Sequence, residues 1–260
     1  MRQITPKIIG IGSEVGSEII TNKYLCEIFD VSDEWIVERT GIRERRRAAE
    51  NEFTSTLAVS AAVKALKSAD LKASEVDVII CATISPDYFL MPSTACLIQA
   101  KLDAKRALAF DISAACSGFL YALETAINFI KSGIYQNILV VGADVMTRYV
   151  DYRDLATSAL FADGAGAVVV SKSLDDSGIL ASEIGADGNF ADYIQIPAGG
   201  TRLSASCETV NNRQHFMKMR GGELFKMAVN KMSACSRQVL EKSGIGAEEL
   251  KIVIPHQANQ

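Results

Sequence analysis

The sequence predicts an α/β fold with largely parallel sheets. Short apolar runs at 76–83, 107–112, 137–142 and 167–171 alternate with helix-period segments at 54–69, 93–102 and 119–130. One stretch, LAFDISAACSGFLYALETAINFIK, passes from an apolar run through small residues straight into a broad apolar helix. A helix–turn–strand unit also recurs. ALKSADLKASEVDVIICA (65–82) aligns with VLEKSGIGAEELKIVIPH (239–256), pairing Leu66 with Leu240 and Ile80 with Ile254 at a constant offset of 174 (240 − 66 and 254 − 80). The chain therefore divides into a first copy, 1–176, and a second that begins near residue 177 and runs to 260.

Each element has its own local reason. Residues 7–12 form a strand ending in glycine. Two short helices follow, 21–30 and 32–39, with Thr21 and Ser32 as N-caps and Thr40-Gly41 ending the second. Arg43, Arg45, Arg46 and Arg47 read as a solvated basic face. Helix 54–69 is amphipathic, and 76–83 is a buried strand. Residues 85–92 form a loop that exposes Tyr88, Phe89, Leu90 and Met91 between two prolines. The run 107–112 reads as a buried strand. The helix after it, apolar at Phe119, Leu120, Leu123, Ala126, Ile127 and Ile130, reads as buried on most sides and closed by Gly133. The sequence DGAG at 163–166 opens the strand 167–171, and 251–255 is a strand that delivers His256.

Cys116 falls where a strand turns into a helix N-terminus. Unpaired N–H groups and the positive end of the helix dipole favour the thiolate there, and the thiolate is the nucleophilic form. The small neighbours Ser113, Ala114 and Ala115 leave room for a substrate. The competing reading is a small core residue, the commonest role of a free cysteine. His256 follows a strand end, where ligands gather in parallel sheets. If the two copies pack about a pseudo-twofold axis, Cys116 and His256 meet. His215, in the polar stretch NNRQHFMK, reads as solvated in a surface hairpin. No second ligand stands at a zinc-like spacing from either histidine.

Composition narrows the function classes. With 48% hydrophobic and 22% charged residues, the 260-residue chain has the balance of a globular protein. No apolar run reaches the ~18–20 residues of a membrane span. The N-terminus MRQITPKIIGIG has no secretory layout. Six scattered cysteines without a CxxC pair fit a reducing, cytoplasmic setting. A net charge of −4 argues against nucleic acid as a general partner. The second copy lacks counterparts of the strand and helix around Cys116, so the chain is expected to be part of a longer gene product by roughly 60–90 residues.

DISAACSGFLYAL, SDEWIVERTGIRER, FADGAGAVVV and PHQAN together resemble β-ketoacyl-[acyl-carrier-protein] synthase III, a thiolase-fold condensing enzyme, in order along essentially the whole chain. The resemblance implies a thiolase-like five-layered αβαβα fold with internal duplication, its second half incomplete here. It implies a decarboxylative condensation of a short acyl-CoA, acetyl-CoA foremost, with malonyl-acyl carrier protein, the step that initiates fatty acid biosynthesis. Cys116 matches the nucleophile and His256 the catalytic histidine; the family's asparagine and second oxyanion donor lie beyond residue 260. No metal or redox cofactor is implied, CoA thioester being a substrate. A homodimer, an acyl carrier protein partner and no membrane contact follow.

Binding positions carry over residue by residue. Trp35 matches a residue that stacks on the CoA adenine, and Arg39 one that meets its phosphate end. Phe161 and Gly221 match acyl-pocket positions, and Met91 stands where many members place a phenylalanine that shapes that pocket. Gln257, Ala258, Asn259 and Gln260 begin the carrier-protein and pantetheine segment, with Asn259 also on the substrate side. Lys226 supplies positive charge to an acidic carrier protein. Leu155 departs from the family, which often has an arginine there. Alternative readings are a relative making a quinolone, polyketide or biotin precursor, a cysteine-dependent thioester hydrolase, and a non-catalytic binding subunit.

Overall fold

The computed structural model describes residues 4–175 and 177–258. Two compact units divide the chain. The first comprises Met1–Glu18, Arg46–Val145 and Asp163–Ser182; the second comprises Ile19–Arg45, Met146–Ala162 and Glu183–Gln260.

The first unit is built on a five-stranded sheet of β1 (Pro6–Val15), β7 (Asp163–Lys172), β6 (Asn137–Val145), β4 (Val78–Ala82) and β5 (Leu108–Ile112), in that spatial order. The pairings of β4 with β5 and β6 are parallel, while β7 is antiparallel to both β1 and β6. The sheet is thus mixed, not largely parallel as the alternation of elements suggested. The reason lies in the connection after β6. Val145 pairs with Asp163, so the chain leaves and re-enters at the same end of the sheet and needs no crossover.

Helices cover both faces. On one lie α3 (Thr54–Ser68) and α4 (Thr94–Leu102), whose Leu57, Ala58, Ala61, Ala65, Ala95 and Ile98 meet Ile79, Cys81, Leu139 and Val141. On the other lies α5 (Gly118–Lys131), whose Ala122, Ala126 and Ile130 meet Val78, Ile80, Ile138 and Val140. β4 is buried throughout because it has neighbours on both edges and helices on both faces. β5, expected to be buried, is the edge strand, and Leu108 is 50% exposed. Only one face of α5 is buried, with Leu120 left at the surface. Alanine-rich α3 presses onto β1 so closely that a Cβ at Gly12 would stand 2.3 Å from the Ala61 carbonyl oxygen, and one at Gly10 the same distance from that of Ala65.

The second unit contains α1 (Asn22–Ile28), α2 (Asp33–Thr40), α6 (Leu155–Ser158), the short pair β8 (Ile194–Gln195) and β9 (Lys218–Met219), α7 (Cys207–Asn211) and α8 (Gly221–Ser243). Two further short strands, β2 (Glu18–Thr21) and β3 (Glu44–Arg47), pair with each other. Leu25, Ile36 and Ala159 form a small core with Phe29, Tyr152 and Leu155 around them. Ser32 caps α2 by accepting from the Trp35 N–H at 3.2 Å, and Gly41 ends it in the left-handed region. Thr21 holds the N-cap position of α1 without a side-chain bond.

Arg45 departs from the solvated-face reading. Its side chain is buried, donating from Nε to the Ala159 carbonyl at 2.8 Å and from Nη1 to Asn22 Oδ1. His215 is likewise half-buried, its Nε2 2.9 Å from the hydroxyl of buried Thr209. Asp151 ties the same region together. It accepts a two-pronged interaction from Arg213 and faces Lys218 at 3.7 Å.

The second copy reproduces the turn geometry of the first. Asp70 ends α3 in the left-handed region at φ 53°, and Gly244, 174 residues on, ends α8 at φ 69°. In the first copy the Lys72 N–H donates to Glu75 at 2.9 Å; in the second the Gly246 N–H donates to Glu249 at 2.9 Å, again 174 apart. The correspondence stops at residue 251. The expected strand 251–255 does not form, and Ile254 is 81% exposed. β4, its counterpart, has a paired strand on either side, whereas 251–255 has none among the described residues to satisfy its backbone.

Two outcomes test this account. Gly12→Ala should destabilise the protein by on the order of 3 kcal/mol, the upper range for overpacking, read as a lower urea midpoint. Asp151 is held down at about 2, against an ordinary 3.8, first by Arg213 and then by the Arg153 N–H and Lys218, with burial opposing them. Its charged form is therefore favoured in the folded state. The stabilisation is full above pH 3.8 and fades as pH falls towards about 2. Asp151→Asn should cost about 1.5–3 kcal/mol at neutral pH and flatten that acid dependence in urea titrations.

Candidate functional site

In the first unit, β4, β5 and β6 finish at one level. Ala82 pairs with Ile112 on one side and Gly142 on the other. Beyond Ile112 the chain makes a single 3-10 turn, Ala115–Ser117, and enters α5. Ala115 sits at φ 46°, a left-handed conformation that costs a non-glycine residue about 1 kcal/mol or more. The first turn of α5 packs tightly on the strand ends. A Cβ at Gly118 would stand 3.3 Å from that of Ala82, and one at Gly142 would stand 3.2 Å from the Phe119 ring. Cys116 is carried at this edge with solvent-accessible surface.

One carboxylate organises the same edge. Asp144 Oδ1 accepts from the Ile84 N–H at 2.9 Å, the Ser85 N–H at 3.2 Å, Ser85 Oγ at 2.8 Å and Thr83 Oγ1 at 3.0 Å. Ser85 Oγ in turn accepts from the Val145 N–H at 2.8 Å. Burial raises the Asp144 carboxyl above its ordinary range, and these donors pull the other way. The Cys116 thiol is also pushed up, first by the protein packed round the sulfur and then by Asp144, while its own N–H works in the opposite sense. Burial and Asp144 thus act against the helix N-terminus that was expected to favour the thiolate. Although the residue is exposed, its sulfur is desolvated enough for burial to prevail. Asp144 was not among the residues singled out from the sequence. The available signal was an acidic residue closing an otherwise apolar strand, NILVVGADV.

The remaining candidates fall as follows. Met91, in the first unit, is 77% exposed in the loop before α4, as expected of that loop. In the second unit, Trp35 and Arg39 share one face of α2. The Arg39 guanidinium lies 4.1 Å from the indole centroid, a cation–π contact on a ring that is 37% exposed. Phe161 is half-buried beyond α6, and Gly221 opens α8. Lys226 is exposed on α8. His256, Gln257 and Ala258 lie exposed in irregular chain. Asn259 and Gln260 lie outside the described residues. Leu155 packs against the small core of Leu25, Ile36 and Ala159, so an aliphatic side chain suits its surroundings.

Residues 110–188, which include the Cys116 turn, match the family described as 3-oxoacyl-[acyl-carrier-protein (ACP)] synthase III. The β-ketoacyl-[acyl-carrier-protein] synthase III of Caldanaerobacter subterraneus subsp. tengcongensis is 47% identical over 99% of this chain and 77% of its own length. The chain belongs to the β-ketoacyl-[acyl-carrier-protein] synthase III family. The crystal structure of the Aquifex aeolicus synthase III superposes with a TM-score of 0.87 at 48% identity, over 98% of this chain and 77% of that one. A priming β-ketosynthase of a polyketide pathway superposes with a TM-score of 0.90 at 33% identity, over 99% and 75%. The fold is therefore thiolase-like, and the chain is a condensing enzyme of the acyltransferase class. It spans about three quarters of the length of these relatives.

The α2 pair offers a direct check. Trp35 is the only tryptophan in the chain. Arg39→Ala should uncover its ring and raise acrylamide quenching of its fluorescence; equal quenching in both proteins would show that the guanidinium does not shield it.

Proposed function

We propose that the protein carries out the decarboxylative condensation that begins fatty acid synthesis, joining a short acyl group from CoA to malonyl-acyl carrier protein. The observation that carries this reading is 47% identity to a synthase III over 99% of this chain, together with a cysteine held at the mouth of three strand ends. We assign Cys116 as the nucleophile. Its thiolate attacks the acyl-CoA carbonyl; the tetrahedral oxyanion collapses, the C–S bond to CoA breaks, and CoA leaves as the thiol after taking up a proton. The Cys116 N–H is assigned as one oxyanion donor. Malonyl thioester then loses CO2. The enolate carbon attacks acyl-Cys116, and the sulfur departs as thiolate to leave a β-ketoacyl carrier protein. His256 is assigned as a hydrogen-bond donor to the enolate oxygen. The reaction so written draws on no metal or redox cofactor.

Other assignments belong to the same reading. Trp35 and Arg39 take the adenine and phosphate end of CoA, supported by their shared exposed face. Phe161, Gly221 and Met91 border the acyl group. Lys226 and residues 257–260 meet the acyl carrier protein, and Asn259 the substrate. The two copies are taken as 1–176 and 177–260, with the shared offset of 174 in support (244 − 70 and 249 − 75). A cytoplasmic homodimer fits best. β5 is an edge strand with Leu108 exposed, and the apolar loop of Tyr88, Phe89, Leu90 and Met91 is exposed as well. Among the described residues no helix is long and apolar enough to cross a membrane.

The polyketide priming enzyme among the structural relatives favours a second reading, in which the same chemistry primes a specialised product. Comparing acetyl-, longer acyl- and aryl-CoA donors in parallel separates the two. For either, radioactive acyl-CoA should label the protein at Cys116, and Cys116→Ser should reduce labelling at least 100-fold, by the loss of the nucleophile. Undiminished labelling of that variant would remove Cys116 from the mechanism. His256→Ala should keep acyl labelling and lose about 10²-fold or more in condensation, as removal of an oxyanion donor does.

A further inference from the structure

We propose that Asp144 is a positioning residue for Cys116: its carboxylate clamps residues 83–85 to the end of β6 and sets the charge that the nucleophilic sulfur meets. The placement follows from register. Gly142 lies under Phe119 of α5. Side chains two apart on a strand share a face, so Asp144 stands on the α5 side, one step further towards the carboxyl edge. Cys116 lies three residues before Phe119 at the start of the helix, towards that same edge. The strand advances by about 6.6 Å over two residues and the helix retreats by about 4.5 Å over three, which brings the two positions to within about 2 Å of one level.

The bonding of Asp144 is lopsided. All four of its hydrogen bonds go to Oδ1, from Thr83, Ile84 and Ser85. Oδ2 has no hydrogen-bond partner among the described residues. The clamp therefore spends one oxygen on fixing the turn after β4 and keeps the other as unshared negative charge at the nucleophile's edge. Among the first unit's charged groups, Asp144 is the one that bears on Cys116; Asp87 and Asp111, together with Asp144, bear on Cys81, which faces the opposite core. Asp87 is engaged with Ser55, and Asp111 with the first N–H groups of α4. The raised Cys116 thiol agrees with this arrangement. In physical terms, the carboxylate favours the thiol over the thiolate at Cys116.

The inference rests on Cys116 being the nucleophile proposed above, and alkylation reads the sulfur without any substrate. The pH dependence of iodoacetamide modification, followed peptide by peptide by mass spectrometry, should have its Cys116 midpoint lowered by about one pH unit in Asp144→Asn. Asparagine keeps the Oδ1 acceptor and removes the charge, and exposed Cys96 and Cys207 serve as internal controls that should not move. An unmoved or raised Cys116 midpoint, or a shift shared by the controls, overturns the proposal. If that variant fails to fold, Thr83→Val removes one donor from the carboxylate and should raise the Cys116 midpoint; no change would sink the idea equally. Normal acyl labelling with an unmoved midpoint defeats this inference alone and leaves the nucleophile assignment intact.

Discussion

The common level at which β4, β5 and β6 end is the constraint on which the site depends. Ala82 is locked to Ile112 and Gly142 by parallel ladders on both sides, so the three strand ends cannot slide independently. A one-residue slip would turn every side chain of β4 to the other face and break two helix interfaces at once. The turn bearing Cys116 inherits that rigidity. Its left-handed Ala115 and the tight seating of Gly118 over Ala82 persist because the surrounding packing leaves the chain no easier path.

The internal repeat shows how much of a strand is owed to its neighbours. The α3 and α8 segments end in the same left-handed residue position, followed by the same N–H to glutamate bond. Local sequence is therefore sufficient for the helix stop and the turn. At the same offset, the residues matching β4 (Val78–Ala82) in the second copy are Ile252, Val253, Ile254, Pro255 and His256, three of them as apolar as in the first. In the first they are a fully buried strand, and in the second they are exposed irregular chain. Ladder partners on both sides of β4, and Pro255 with no N–H to give a ladder, separate the two copies.

This also explains what could be read in advance. Helices with strong local punctuation were legible: Ser32 and Gly41 bound α2, and the α3 and α4 boundaries fall within a residue of their capping positions. The place of Cys116 at a strand-to-helix turn was legible because small residues and helical spacing are local facts. The direction of β7 was not, since it depends on where the connection through α6 returns. Arg45 was not either. In a run of arginines, nothing local says that one of them is buried and donates to the Ala159 carbonyl 114 residues away. The role of Asp144 was hidden for the same reason, its donors lying about 60 residues upstream.

The state of the sulfur is decided by competing magnitudes. A helix N-terminus contributes about 0.3–1 kcal/mol to a nearby anion, less than one pK unit. Removing water from a thiolate shifts it the other way by up to several units when burial is complete. A neighbouring carboxylate in a part-buried setting adds to the second effect. The protein packed round the sulfur, and then Asp144, push the Cys116 thiol up, and its own N–H opposes them. A thiol held in this way becomes thiolate only where a group accepts its proton or replaces the lost solvation, so exposed surface alone does not make a cysteine reactive.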